Sequence, residues 1–288
     1  MRGQLGGQVP DQELNESKLV AEALNVPENQ HIDIRVPARH NPVLQQIIDR
    51  VNADEELYAL WLAMNVNAVD RLGMSDHGPV HFQIVSNIAL KLLRQLIERG
   101  VVPSVVKDHK MTNNDAEVIV VLAALLHDLG MSIHRIDHEQ YSLFVAQPKI
   151  DALLEGLYPI AARTIIRSET LHAIISHRSD GKPMTVEAGV VRVADALDMT
   201  KGRSRIPFEA GTVNIHSLSA AAIEQVEIKS GVEKPIHINV RMNNSAGIFQ
   251  LDELLKEKLH GSGLEKYVEV EATIEGETEK RLVKVFRM

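Results

Sequence analysis

The segment NNDAEVIVVLAALLHD, residues 113–128, constrains the fold more than any other. From Val118 to Leu126 every residue is apolar. A helix that is apolar all round cannot lie on a surface, so this stretch is expected to run through the middle of a helical core. Asn113, Asn114 and Asp115 are good material to start it. The run is far too short to span a bilayer. It ends in His127 and Asp128. A carboxylate buried alone is very costly, and an adjacent imidazole adds to the cost. Burial becomes tolerable if both groups bind a cation. In the alternative reading, Leu129-Gly130 ends the helix and the pair caps it at the surface. The dipeptide alone does not decide between the two.

The flanking sequence supplies helices to surround such a centre. Leu44, Ile47, Ile48 and Val51 recur at spacings of three and four after Pro42, a residue suited to a first turn. Leu57 to Leu72 repeats the pattern through Leu60, Met64 and Ala68, and Gly73 is a stop signal. His81 to Ile97 does so through Ile84, Ile88, Leu92 and Leu96. Further helices are expected over 138–146, 149–157, 160–177 and 186–199. Residues 1–40, with Gly, Gln, Asn and Pro and little periodicity, read as a loose arm with a short helix around Lys18 to Leu24.

After about Ile206 the period changes. Ile236, Ile238 and Val240 alternate with polar residues, as do Val268, Val270 and Ala272, and RLVKVF near the end also reads as a strand. Between them LDELLKEKL reads as an amphipathic helix ended by Gly261. The order β-β-α-β-β predicts a small α+β domain, a helix on an antiparallel sheet, over 207–288. It follows a helical domain over 41–206, with Pro207 and Gly211 at the boundary. The fold class is therefore mainly α with a small α+β domain behind.

Composition removes several chemistries. There is no cysteine, so disulfides, thiolate metal sites and cysteine nucleophiles are excluded. Any metal must be held by His, Asp or Glu. The net charge of −8 supplies no global basic field for nucleic acid or an acidic membrane, and there is no basic stripe with interleaved aromatics. The first residues are polar, with no apolar leader segment, which fits a cytoplasmic protein. Histidine is the unusual ingredient: 13, against 5 Phe, 4 Tyr and 1 Trp.

The histidines sit where an ordinary polar residue is hard to place. His81 opens an amphipathic helix, with His77 four residues before it as an alternative. His138 opens HEQYSLFVA, and His172 and His177 flank Ile174 and Ile175. Asp195 lies in the apolar VVRVADALD, where the competing reading is a salt bridge to Arg192 or Arg203. One such histidine is more often a satisfied core residue than a ligand. Six beside two apolar-flanked aspartates are harder to dismiss.

The ordered pattern His81, His127-Asp128, Asp195 resembles the signature of the HD-domain phosphohydrolases. HFQIVSNIALKLL, LAALLHDLG and VRVADALDMTKGR are similar to that superfamily's successive motifs, from about Ser75 to Arg205. HDLG…DHEQYS and LHAIISHRSDGKP also resemble its branch with extra histidines, which includes the HD-GYP phosphodiesterases. The GYP tripeptide is absent; SDGKP stands in its place.

The resemblance implies a ligand set of His81, His127, Asp128 and Asp195, with His138 and His177 at a second metal and Asp128 bridging. It implies one or two divalent ions (Mn, Fe, Ni, Co or Zn, with Mg at an oxygen-rich site) that make a water nucleophilic. Asp128 and His177 are then the catalytic residues. The expected activity is hydrolysis of a phosphomonoester or phosphodiester in a small nucleotide-like molecule. A nucleotide-binding regulator without turnover and a di-iron oxygenase on the same scaffold are the alternatives. Arg178, Lys201, Arg203 and Arg205 are the candidate phosphate-binding residues. Glu139, Asp180 and Asp198 are candidates to support the ligands, and Asp76 to orient an imidazole. The C-terminal domain shows no comparable cluster; His216, His237 and His260 are scattered. Expected roles for it include covering the site, binding an effector or forming a homo-oligomer.

Overall fold

A computed structural model describes residues 32–178, 180–199 and 219–275, and the backbone of 285–287. The expected helix around Lys18 to Leu24 lies outside the described residues. Ile34 is buried, and its amide donates to Asn52 Oδ1 at 2.8 Å.

Helix α1 (Pro42–Asn52) starts at Asn41, whose side chain accepts from the Leu44 amide. Helix α2 (Glu55–Asn65) runs into a π-helical turn, Val66–Arg71, and the chain reverses at Gly73, which has a left-handed φ of 64°. Helix α3 (Pro79–Glu98) begins two residues before His81. A short helix α4 (Ser104–His109), which periodicity did not reveal, leads into α5 (Asn113–Leu126). The cap of α5 is Thr112 rather than the Asn113-Asn114-Asp115 cluster. Asp115 instead completes a capping box by accepting from the Thr112 amide at 2.8 Å.

As the sequence demands, α5 is the central helix. Every residue from Ala116 to Leu126 is buried, and α3, α7 (Ile160–Ser176) and α8 (Val186–Leu197) pack around it. Trp61 Nε1 donates to the Leu125 carbonyl at 3.1 Å, fixing α2 against the end of α5.

The two helices expected over 138–146 and 149–157 are one, α6 (His138–Leu154), which continues through Pro148. Proline removes one helical hydrogen bond, at the carbonyl four residues earlier. Both Pro148 and Phe144 are exposed, so water can satisfy that carbonyl, while Ser142, Ala146, Ile150 and Leu153 hold the opposite face in the core.

The C-terminal part is a four-stranded sheet: β1 (Ile223–Ser230), β2 (Ile236–Met242), β3 (Val268–Ile274) and β4 (Val285–Arg287), in that order. It is mixed, not wholly antiparallel as expected. β1–β2 and β3–β4 are antiparallel, whereas β2 and β3 run parallel from Ile236 beside Val268 to Met242 beside Ile274. The reason is the helical connection, residues 245–259, which returns the chain to the starting end of β2. Gly261, with φ of 74°, ends that connection as expected. Ile236, Ile238, Val240 and Met242 face inward with Val268, Val270, Ala272 and Ile274, so the period-two alternation is real. The described residues from Ile34 onward form one compact unit. No helix among the described residues is long and apolar enough to cross a membrane.

Candidate metal centre

The centre forms where α5 stops. His127 is the last residue in helical conformation and Asp128 follows it, so both project from the buried end of an apolar helix. The 3-10 turn Leu129–Ser132 then carries the chain across α6. Gly130 permits this approach. A Cβ there would overlap the His138 carbonyl and the Ser142 amide, and its own amide donates to Ser142 Oγ at 2.8 Å. Asn67 donates to the carbonyls of Met131 and Ser132, holding the turn from the other side.

Six of the residues expected as ligands converge. The Nε2 atoms of His81 and His127 lie 3.4 Å apart, and each is 3.6 Å from Asp195 Oδ1. Asp128 Oδ2 lies 3.4 Å from His127 Nε2 and 3.9 Å from His81 Nε2. Its other oxygen, Oδ1, faces the second half of the cluster, 3.0 Å from His138 Nε2 and 3.4 Å from His177 Nε2. Donors on a tetrahedral ion with bonds of about 2.1 Å stand roughly 3.4 Å apart, so these spacings fit a first-row metal. Among the described residues, three groups of side chains bring ligand atoms within 4.8 Å of one another: His81, His127 and Asp195; His127, Asp128 and His177; His138, Glu139 and His177.

The orientation of the rings is as informative as the distances. His81 Nδ1 lies 2.7 Å from Asp198 Oδ2, His127 Nδ1 2.9 Å from the Ala124 carbonyl, and His177 Nδ1 2.6 Å from the Ile174 carbonyl. Each Nδ1–H thus donates outward to an oxygen and leaves Nε2 aimed at the centre, as metal-binding imidazoles are held. His138 Nδ1 is within 3.0 Å of the Arg135 carbonyl and 2.7 Å of the Arg135 guanidinium, and 3.3 Å from Glu139 Oε2.

The charges favour a cation at the centre. Burial opposes ionisation of His127, yet the carboxylates of Asp128 and Asp195 override it and lift the ring to about 10. Burial likewise opposes ionisation of Asp128, but His127, His138 and His177 hold it well below the usual carboxylate range. Asp195 is also held down against burial, first by Lys258 and then by His127 and His81. His177 moves the other way, lowered chiefly by burial, with Asp128 only partly offsetting it.

The remaining expectations divide. His77 is not in the cluster; its ring stands beside that of His81 with centroids 5.5 Å apart, and its Nδ1 is 2.6 Å from the Ser75 carbonyl. Asp76 accepts from the Gly78 amide, which is a turn contact. His172 accepts from the Met184 amide at 3.0 Å and so braces the loop after α7. Asp198 does support a ligand, His81. Arg178 is paired with Asp180 at 2.5 Å. Lys201, Arg203 and Arg205 lie outside the described residues. The partner of Asp195 is not Arg192 but Lys258, from the C-terminal connection, at 3.2 Å. Nothing in LDELLKEKL distinguishes that lysine from a solvated one, and Arg135 carried no sequence signal either.

Comparison with known proteins agrees with this geometry. The HD domain family model matches residues 81–200. The Uncharacterized protein MJ1020 of Methanocaldococcus jannaschii is 45% identical over 233 residues, 81% of this chain and 90% of its own length. Ribonuclease Y of Borreliella burgdorferi is 24% identical over 173 residues, covering 59% of this chain but 31% of that enzyme. Ribonuclease Y of Borrelia garinii subsp. bavariensis is 23% identical over the same length. No solved structure matches.

Proposed function

Since the chain belongs to the HD-domain superfamily of metal-dependent phosphohydrolases, we propose that it hydrolyses a phosphomonoester or phosphodiester of a small nucleotide-like molecule. The observation that carries this reading is the orientation of His81, His127 and His177. Each ring is tied outward through Nδ1 and presents Nε2 to a buried space shared with Asp128 and Asp195. A structural polar network has no need to leave three such nitrogens converging.

His81, His127, Asp128 and Asp195 would hold one divalent ion, and His138 and His177 with the second oxygen of Asp128 would hold another. Bound there, such ions supply an acidified water and a Lewis acid for a phosphoryl oxygen. The chain's own residues do the rest. Asp198 fixes the His81 ring, and the two oxygens of Asp128 hold the two halves of the cluster in register. Burial keeps His177 below its ordinary pKa and so favours the neutral imidazole that an ion ligand at Nε2 must be. Arg178, Lys201, Arg203 and Arg205 are proposed phosphate contacts. The relatives named ribonuclease Y have a phosphodiester substrate by name, but the net charge of −8 does not favour a polyanion here, so a small substrate is the reading adopted.

The test is metal per chain by elemental analysis after supplying Mn, Fe or Ni, followed by a phosphoester screen. One or two ions per chain are expected in the wild type. Asp128→Ala should lose them, with turnover reduced at least about a hundredfold. Normal turnover in that variant would rule out this site.

A further inference from the structure

We infer that Lys258, delivered by the C-terminal connection, is a positioning residue of the metal centre and that the α+β part of the chain is thereby a working component of it. The inference rests on the reading of the site just given and adds a residue that the HD motif region, 81–200, does not contain.

Asp195 divides its two oxygens. Oδ1 stands 3.6 Å from the inward-facing nitrogens of both His81 and His127. Oδ2 turns away from them and meets Lys258 Nζ at 3.2 Å. The same ammonium also donates to the carbonyl of His177. One side chain thus grips a carboxylate of the first half of the centre and the backbone of a ligand of the second half. A carboxylate pinned in this way offers a single oxygen to an ion and cannot rotate to chelate it or swing out. The Lys258 side chain is largely buried, 16% exposed, so solvent does not dilute the contact.

The lysine is itself held in place from the helix that carries Asp195. Arg192, 2% exposed, lies one turn before Asp195 on α8. Its guanidinium donates to the carbonyls of Glu257 at 3.0 Å and Lys258 at 2.8 Å, and to those of Arg178 and Gly181 in the loop after His177. Gly189, one turn earlier still, lets the chain at Ser262 pass directly against α8, where a Cβ would overlap the Ser262 carbonyl. Two contacts on α8 therefore set the register of the segment that presents the lysine. A surface lysine that met Asp195 by chance would not have its backbone fastened by the ligand's own helix.

The test compares Mn(II) affinity of the full-length protein, by competition with a coloured chelator, in Lys258→Met and Lys258→Arg. Met keeps the apolar stem and volume but not the charge; Arg keeps the charge. Lys258→Met is expected to bind Mn about 10- to 100-fold more weakly, and Lys258→Arg to return within about threefold of the wild type. The metal-free melting temperature of both should stay within a few degrees of the wild type. Should Met prevent folding, Lys258→Gln reads the same comparison while keeping a donor toward the His177 carbonyl. Unchanged or tighter Mn binding without the charge overturns the inference, since the ammonium would then only compete with the ion for Asp195. Equal weakening in Met and Arg overturns it too, because the effect would be one of packing. Failure of the wild type to bind any divalent metal would instead overturn the reading of the site, and this inference with it.

Discussion

Asp128 is the residue on which the centre turns, with one oxygen toward His127 and the other toward His138 and His177. Its role was legible because a carboxylate at the end of an apolar run needs a compensating charge, and the same logic pointed to His127 and Asp195. The supporting residues were legible only in part. Asp198 stands close enough in sequence to the Asp195 motif to be suspected, and it holds His81 Nδ1 at 2.7 Å. Replacing it by Ala frees that ring to turn, so Asp198→Ala should weaken divalent-metal binding about 10- to 100-fold, measured by chelator competition. Lys258 was not legible, because its partner lies 63 residues away and no periodicity connects them.

At the level of elements, hydrophobic period gave the long helices and strands β2 and β3, and errors arose where tertiary packing overrode a local signal. Pro148 reads as a helix break, yet α6 passes through it because the lost hydrogen bond falls on the solvent side. The alternation in β2 and β3 predicted strands correctly but says nothing of direction; the connection between them made the pair parallel. The turn after α5 is the element on which the site most depends. Gly130→Ala would push a methyl into the backbone of α6 at His138 and Ser142. It is expected to cost about 1–3 kcal/mol, read from the urea midpoint, and to lower metal content by moving His138.

Across the whole molecule, Arg192 joins parts of the chain that sequence reading kept apart. Its guanidinium gathers carbonyls from the loop at 178–181 and from 257–260 at once. Arg192→Met would remove the donor that these carbonyls share, leaving the Arg178 carbonyl with only the Gly181 amide. The expected loss is about 3 kcal/mol or more, seen as a lower melting temperature. Amide hydrogen exchange should quicken in both segments together, whereas a purely local role would quicken only one. The sequence offers Arg192 or Arg203 as a charge partner for Asp195 and gives no sign that Arg192 serves backbone groups of a loop and of the C-terminal connection.

The parallel pairing of β2 and β3 bears on how the protein is made. A ribosome releases the chain from its N-terminus, and a parallel pair cannot form until the intervening connection and the second strand have both emerged. Every ligand from His81 to Asp195 is synthesised well before that moment, whereas the segment that fastens α8, at 257–262, emerges only shortly ahead of β3. The nascent chain should therefore hold an assembled set of ligands whose last support is still inside the tunnel. Acquisition of a firmly held ion is then a post-translational event, and a chain stalled near residue 250 would be helical, compact and poor in metal.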